Sequence, residues 1–141
     1  MGKQGSLLAG VAAVDITGTA DEQMDDPLYS RIEADKGTDR LYVKALVLQH
    51  GATTAVVITI DAVAIEEIGS IRNNYLARVR EALQTEFQIA PSSVLVNASH
   101  CHGVVCEDVA ERTIEAVRLA SECLVPVRVG TGTGHESSIM E

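Results

Sequence analysis

This sequence predicts an α/β layered domain: a mixed β-sheet of about five strands in β-β-β-α-β-α-β order, with two covering helices. Three observations carry that expectation. Hydrophobic residues make up 46% of the chain, yet Trp is absent and Phe occurs once, so Val, Ile, Leu and Ala must fill the interior. Such a composition suits aliphatic strands under Ala-rich helices. Short β-branched runs bounded by Gly, Pro and Ser alternate with longer stretches whose apolar residues recur every three or four positions. The 141 residues amount to about one domain, long enough to bury a core without disulfides.

Leu7–Thr17 (LLAGVAAVDIT) reads as the first strand, stopped at Gly18. Thr19–Asp39 is polar, holds Asp25-Asp26-Pro27 and Gly37, and shows no period, so the stretch 18–39 reads as a long loop. Its acidic cluster, Asp21, Glu22, Asp25 and Asp26, is either a solvated surface or a cation trap. Leu41–Gln49 and Thr54–Asp61 read as two strands, and Gly51 in so short a connection predicts an antiparallel hairpin. His50 at that turn reads as a solvated loop residue.

Ile65, Ile68, Ile71, Tyr75, Leu76, Val79, Leu83 and Phe87 predict an amphipathic helix over Glu66–Phe87. Pro91-Ser92-Ser93 then leads into a buried strand beginning at Val94-Leu95-Val96. A second helix is expected over Glu107–Leu124, with Val109 or Ala110, Ile114, Val117, Ala120 and Leu124 as its apolar stripe. Glu107 and Asp108 lie in its first turn, where the helix dipole favours acids. Pro126 introduces a last strand, Val127–Thr131. The tail has Gly130, Gly132 and Gly134 without G-x-G-x-x-G spacing or a following helix, which argues against a phosphate loop. It finishes with apolar Ile139 and Met140 and no visible cap, and so reads as an interrupted end.

A net charge of −9, from 20 acidic against 11 basic residues, argues against nucleic acid and against electrostatic attachment to anionic lipid. Cys101, Cys106 and Cys123 form an odd count without scaffold-like spacing, which favours a reduced, cytoplasmic setting. MGKQGS followed by LLAGVAAV imitates a signal peptide and fits the myristoylation pattern through Gly2 and Ser6. The apolar run is short and soon meets Asp15, so a first strand is the better reading. No segment approaches the ~20 apolar residues of a membrane span.

The chemistry concentrates in Val94–Gly103, VLVNASHCHG. Side chains alternate along a strand, so His100 and His102 project to one side if the extended geometry lasts. Two imidazoles at a strand end are either half of a metal site or a pair of surface histidines. The strand–helix–strand pattern from Thr54 onward predicts a right-handed βαβ unit with parallel strands. Both strands then end at one sheet edge, where ligands of open α/β sheets bind, and Asp61 converges there with the two histidines. Asp61 is a ligand, an acceptor that fixes the tautomer of a metal-bound histidine, or simply a residue turning the chain. Cys106 offers a thiolate, although buried thiols more often pack than react. Two good donors and one further candidate fall short of the three or four a metal centre takes.

AGVAAVDIT, LYVKALVLQHG, VVITIDAVAI and VLVNASHCHG together resemble, in order and spacing, the amino-terminal domain of the neutral/alkaline non-lysosomal ceramidases. The likeness runs from Leu8 over nearly the whole chain, and NASHCHG is its most specific part. The resemblance implies a zinc amidase of sphingolipid metabolism, acting on a small-molecule or lipid amide at its N-acyl bond. It makes His100 a zinc ligand, and His102 a ligand or a group touching the bound water or substrate. Gly103-Val104-Val105 stands where the family has S-G-P. The family's remaining ligands, a His, a Glu and a Tyr, lie further along a longer chain. Residues 1–141 are thus expected to form one domain, the opening part of such a catalytic domain, with little zinc affinity or activity by itself. The rival expectations are a catalytically silent fragment or interaction domain that forms homo-oligomers through exposed sheet edges, and a thiol or metal-storage role for Cys101, Cys106 and the histidines.

Overall fold

The computed structural model describes residues 6–25 and 40–138. Gly2 of the myristoylation pattern, Asp26 and Gly37 of the predicted loop, and the terminal Ile139-Met140 lie outside the described residues. Five strands form one mixed sheet: β1 (Leu8–Asp15), β2 (Tyr42–His50), β3 (Thr53–Ile60), β4 (Val94–Ala98) and β5 (Val125–Pro126), in the spatial order β4-β3-β2-β1-β5. The helices are α1 (Ala20–Asp25), α2 (Tyr75–Phe87) and α3 (Val109–Glu122), with a 3-10 turn at Pro91–Ser93 before β4. The expected layered α/β class is the one observed.

β2 and β3 pair antiparallel from His50↔Thr53 to Val43↔Ile60, closed by Gly51 at φ 59°. β3 and β4 run parallel, Val56↔Val94 through Ile60↔Ala98, as the βαβ reading requires. β1 is antiparallel to β2, so the carboxyl ends of β1, β3 and β4 share one edge of the sheet. That edge carries Asp15, Asp61 and the histidine loop.

One face of the sheet is the core. Val43, Ala45, Val47, Val56, Ile58, Ile60 and Val94 are buried, with α3 packed on β1 and β2 and α2 beside α3. Gly10 allows the closest approach, since a Cβ there would lie 1.9 Å from the Ala120 carbonyl oxygen. Between the helices the hydroxyls of Tyr75 and Thr113 meet at 2.8 Å, so both buried polar groups are satisfied. On the opposite face Val11, Leu46, Val57 and Leu95 align in one row across four strands; Val11 is 68% and Leu95 59% exposed.

Four elements differ from expectation. α2 starts at Tyr75, not at Glu66. Glu67 (φ 56°) and Gly69 (φ 52°) are left-handed, and Ile68 and Ile71 bridge each other, so the intervening chain folds back instead of coiling. Ile71 is still fully buried, which means the apolar spacing tracked burial but not a helical backbone. α1 lies inside the stretch read as loop, opened by a reciprocal cap: Glu22 N–H donates to Thr19 Oγ1, and Thr19 N–H to the Glu22 carboxylate. The last strand is Val125–Pro126 and not Val127–Thr131; it reaches β1 through Leu8↔Pro126 and Ala9↔Val125. Pro126 is tolerated because this is an edge strand. The buried stripe of α3 is Val109, Ala110, Thr113, Ala116, Val117 and Ala120, with Ile114 only half-buried.

Candidate functional site

The histidine loop begins where β4 stops. Ser99 N–H still donates to the Ile60 carbonyl (2.9 Å), but His100 turns to φ 62°, so the extended geometry ends before the pair. The alternation argument for His100 and His102 therefore does not hold. The two rings nevertheless come together, with centroids 5.0 Å apart and planes at 84°, an edge-to-face contact. Both residues are exposed. His100 Nδ1 lies 3.0 Å from the Val63 carbonyl oxygen. A carbonyl only accepts, so this contact places the proton on Nδ1 and leaves the Nε2 lone pair for another partner.

Asp61 comes to the same place by the register of the hairpin. Its N–H donates to the Tyr42 carbonyl (2.9 Å), while Tyr42 N–H donates to its Oδ2 (3.0 Å). Lys44 Nζ adds an ion pair at 3.1 Å, and Ser99 Oγ donates to Oδ1 at 3.1 Å. Burial pushes the Asp61 carboxyl up, but Lys44, the Tyr42 N–H and Ser99 outweigh it and hold the pKa below its usual value. The role of tautomer-setting acceptor for His100, one of the readings open for Asp61, belongs to Val63. Sequence reasoning does not single out Lys44, Ser99 or Val63. Lys44 is within its reach, because it shares the outward face of β2 with Tyr42, which the register sets opposite Asp61.

Beyond the pair, the loop crosses the sheet edge and is tied down on the segment that follows β1. Val104 accepts from Gly18 N–H (2.9 Å), Thr17 bridges Val105, and Cys106 N–H donates to Ile16 (2.9 Å). Glu22 of α1 accepts from Glu107 N–H at 2.7 Å, which anchors the approach to α3. Asp15 receives Thr17 N–H (2.8 Å) and Arg40 (2.6 Å). Glu22 thus serves as cap and anchor, and Asp15 as an anchor.

The donors do not add up to a metal centre within the described residues: no group of three or more His, Cys, Asp or Glu side chains is placed to hold an ion. The three cysteines are free; Cys101 is half-buried, Cys106 buried and Cys123 exposed. Burial, with Asp108 adding to it, pushes the Cys106 thiol up to about 12, far from a thiolate ligand. A separate open cleft of about 250 Å³ lies between the starts of α2 and α3, lined by Ser70, Arg72, Asn74, Arg78 and Glu107 among others. No helix among the described residues is long and apolar enough to cross a membrane.

No protein-family model matches the sequence, and no curated protein matches it. Among solved structures, one described as "Ceramidase complexed with C2" is similar, with a TM-score of 0.58 and 15% sequence identity. The likeness covers 86% of this chain and 22% of that chain, so the present sequence spans about a fifth of its length. At this identity the likeness concerns architecture, and the fold of this chain is ceramidase-like.

Proposed function

We propose that this chain contributes part of the active site of a zinc-dependent amide hydrolase that cleaves an N-acyl bond, with a small-molecule or lipid amide as substrate. One observation carries the reading: two imidazoles meet at the carboxyl edge of a parallel strand pair, and His100 is held by Val63 with its Nε2 free. A backbone carbonyl on the far nitrogen is the arrangement that orients histidine ligands. In this reading His100 is a zinc ligand, and His102 is a second ligand or the group that contacts the attacking water or the substrate. Bound zinc would supply a water of lowered pKa and a polarised carbonyl. Two imidazoles do not complete such a centre, so a further donor has to come from outside the described residues. The ceramidase-like fold supports this choice of chemistry.

The test is zinc content after dialysis, together with hydrolysis of an N-acyl sphingosine analogue, for the wild type and for His100→Ala. The reading expects zinc retention that His100→Ala lowers, and chelator-sensitive turnover once the missing donor is present. Zinc that neither form retains, even in the presence of added protein sequence, would remove it. A second reading, a catalytically silent domain with a partial site, is favoured by the absence of a third donor among the described residues. It expects no turnover in any form, and self-association through the open edge of β4, where Leu95 is exposed.

A further inference from the structure

We infer that Asp61 is a positioning residue for His100, acting through Ser99 and not on the imidazole itself. The inference rests on the reading of His100 as a functional imidazole. Asp61 and Ser99 each come directly after the last residue of a strand, and those residues, Ile60 and Ala98, are partners in the parallel register. Their side chains meet at 3.1 Å, Ser99 Oγ donating to Asp61 Oδ1. Ser99 N–H is also fixed on the Ile60 carbonyl. His100 is therefore preceded by a residue gripped at both main chain and side chain.

Immediately after Ser99 the backbone makes a turn that L-residues seldom take, φ 62° at His100. That turn swings the ring over the segment after β3, where Val63, two residues beyond Asp61, accepts from Nδ1. Residues 61–63 thus hold His100 twice: the carboxylate fixes its start, and the carbonyl fixes its ring. Lys44 and Tyr42 N–H hold the carboxylate in turn. The hydroxyl bond links the two strand-end loops side chain to side chain, and its consequence is the tautomer of His100.

The experiment reads that tautomer without any metal. Long-range proton–nitrogen correlation spectra of the metal-free, ¹⁵N-histidine-labelled chain, at a pH where imidazoles are neutral, assign the protonated nitrogen of each ring. His50 and His135, both exposed, are internal references. Wild type should show the Nδ1–H form of His100 as the majority. Ser99→Ala and Asp61→Asn should make it the minority, as in free imidazole side chains, and Ser99→Thr should keep the wild-type pattern. A His100 pattern unchanged in Ser99→Ala, or an Nε2–H majority in wild type, overturns the inference. If Asp61→Asn does not fold, Ser99→Ala decides. An Nδ1–H majority in wild type, combined with no zinc retention even when the added protein sequence is present, removes the zinc reading and leaves Asp61 as the positioning residue.

Discussion

Gly10 of β1 lies directly beneath Ala120 of α3, so close that a Cβ would sit 1.9 Å from the helix carbonyl oxygen. The obstacle is backbone, which cannot rotate away, so an added methyl must lift α3 from the sheet. Gly10→Ala is expected to cost about 3 kcal/mol, measured by urea denaturation. Gly132→Ala, in the exposed tail with nothing within 4 Å, is the control and should change almost nothing. A Gly10→Ala chain as stable as wild type would mean that α3 does not sit so close to β1.

Both residues are visible in the sequence, but their contact is not. The first four strands and the parallel β3–β4 pair are legible because their short aliphatic runs, rich in β-branched residues, are bounded by turn residues. Helix α2 begins later than its apolar spacing predicts, because Ile65, Ile68 and Ile71 keep helical spacing in an irregular loop that buries Ile71 and half-buries the other two. Glu67 and Gly69 break that helix, and only Gly69 is conspicuous as a breaker. Helix α1 is signalled by Thr19-x-x-Glu22, a capping pair easily lost within a polar stretch. At the site, chain topology brings Asp61 and the histidines to one edge. The Ser99 contact follows from the parallel register, while the Val63 contact depends on a left-handed turn at His100 that no residue pattern marks.

The Tyr75–Thr113 hydrogen bond offers a second test of the helical layer. Thr113 keeps an acceptor in the Val109 carbonyl when Tyr75 is removed, whereas the buried Tyr75 hydroxyl depends on Thr113. Tyr75→Phe should therefore cost about 1 kcal/mol. Thr113→Val strands the hydroxyl and should cost more. A double-mutant cycle by urea denaturation is expected to give a coupling of about 1 kcal/mol; zero coupling would mean the two hydroxyls do not meet.

Acid should destabilise this chain through identifiable carboxylates. Hydrogen bonds from Thr17, opposed by burial and aided by Arg40, lower the Asp15 pKa from 3.8 to about 2. The folded-state value lies below the unfolded one, so the contribution is fully present above the unfolded pKa and is lost as pH falls from about 4 towards 2. Glu22 and Asp61 are also lowered, and act in the same direction. Asp15→Asn should reduce stability at neutral pH by about 1 kcal/mol, allowing for solvent screening. It should also flatten the stability profile in that acid window. A slope identical to that of wild type would show that Asp15 is free in solution.

His100 should be kept in spite of its backbone. A left-handed residue with a Cβ is disfavoured by about 1 kcal/mol relative to glycine, and His100 stands at φ 62°. Replacing it separates the backbone cost from the ring's bond to Val63. His100→Ala loses the ring and retains the strain, while His100→Gly loses the ring and relieves it. The glycine variant should thus be more stable than the alanine variant by about 1 kcal/mol and close to wild type, read from urea midpoints at constant m-value. If turnover or zinc binding is established for the assembled enzyme, both variants should lose it equally, since both lack the imidazole. Equal stabilities of the glycine and alanine variants would show that the loop relaxes out of the left-handed conformation once the ring no longer holds Val63. The turn would then be a consequence of the ring contact and not its cause.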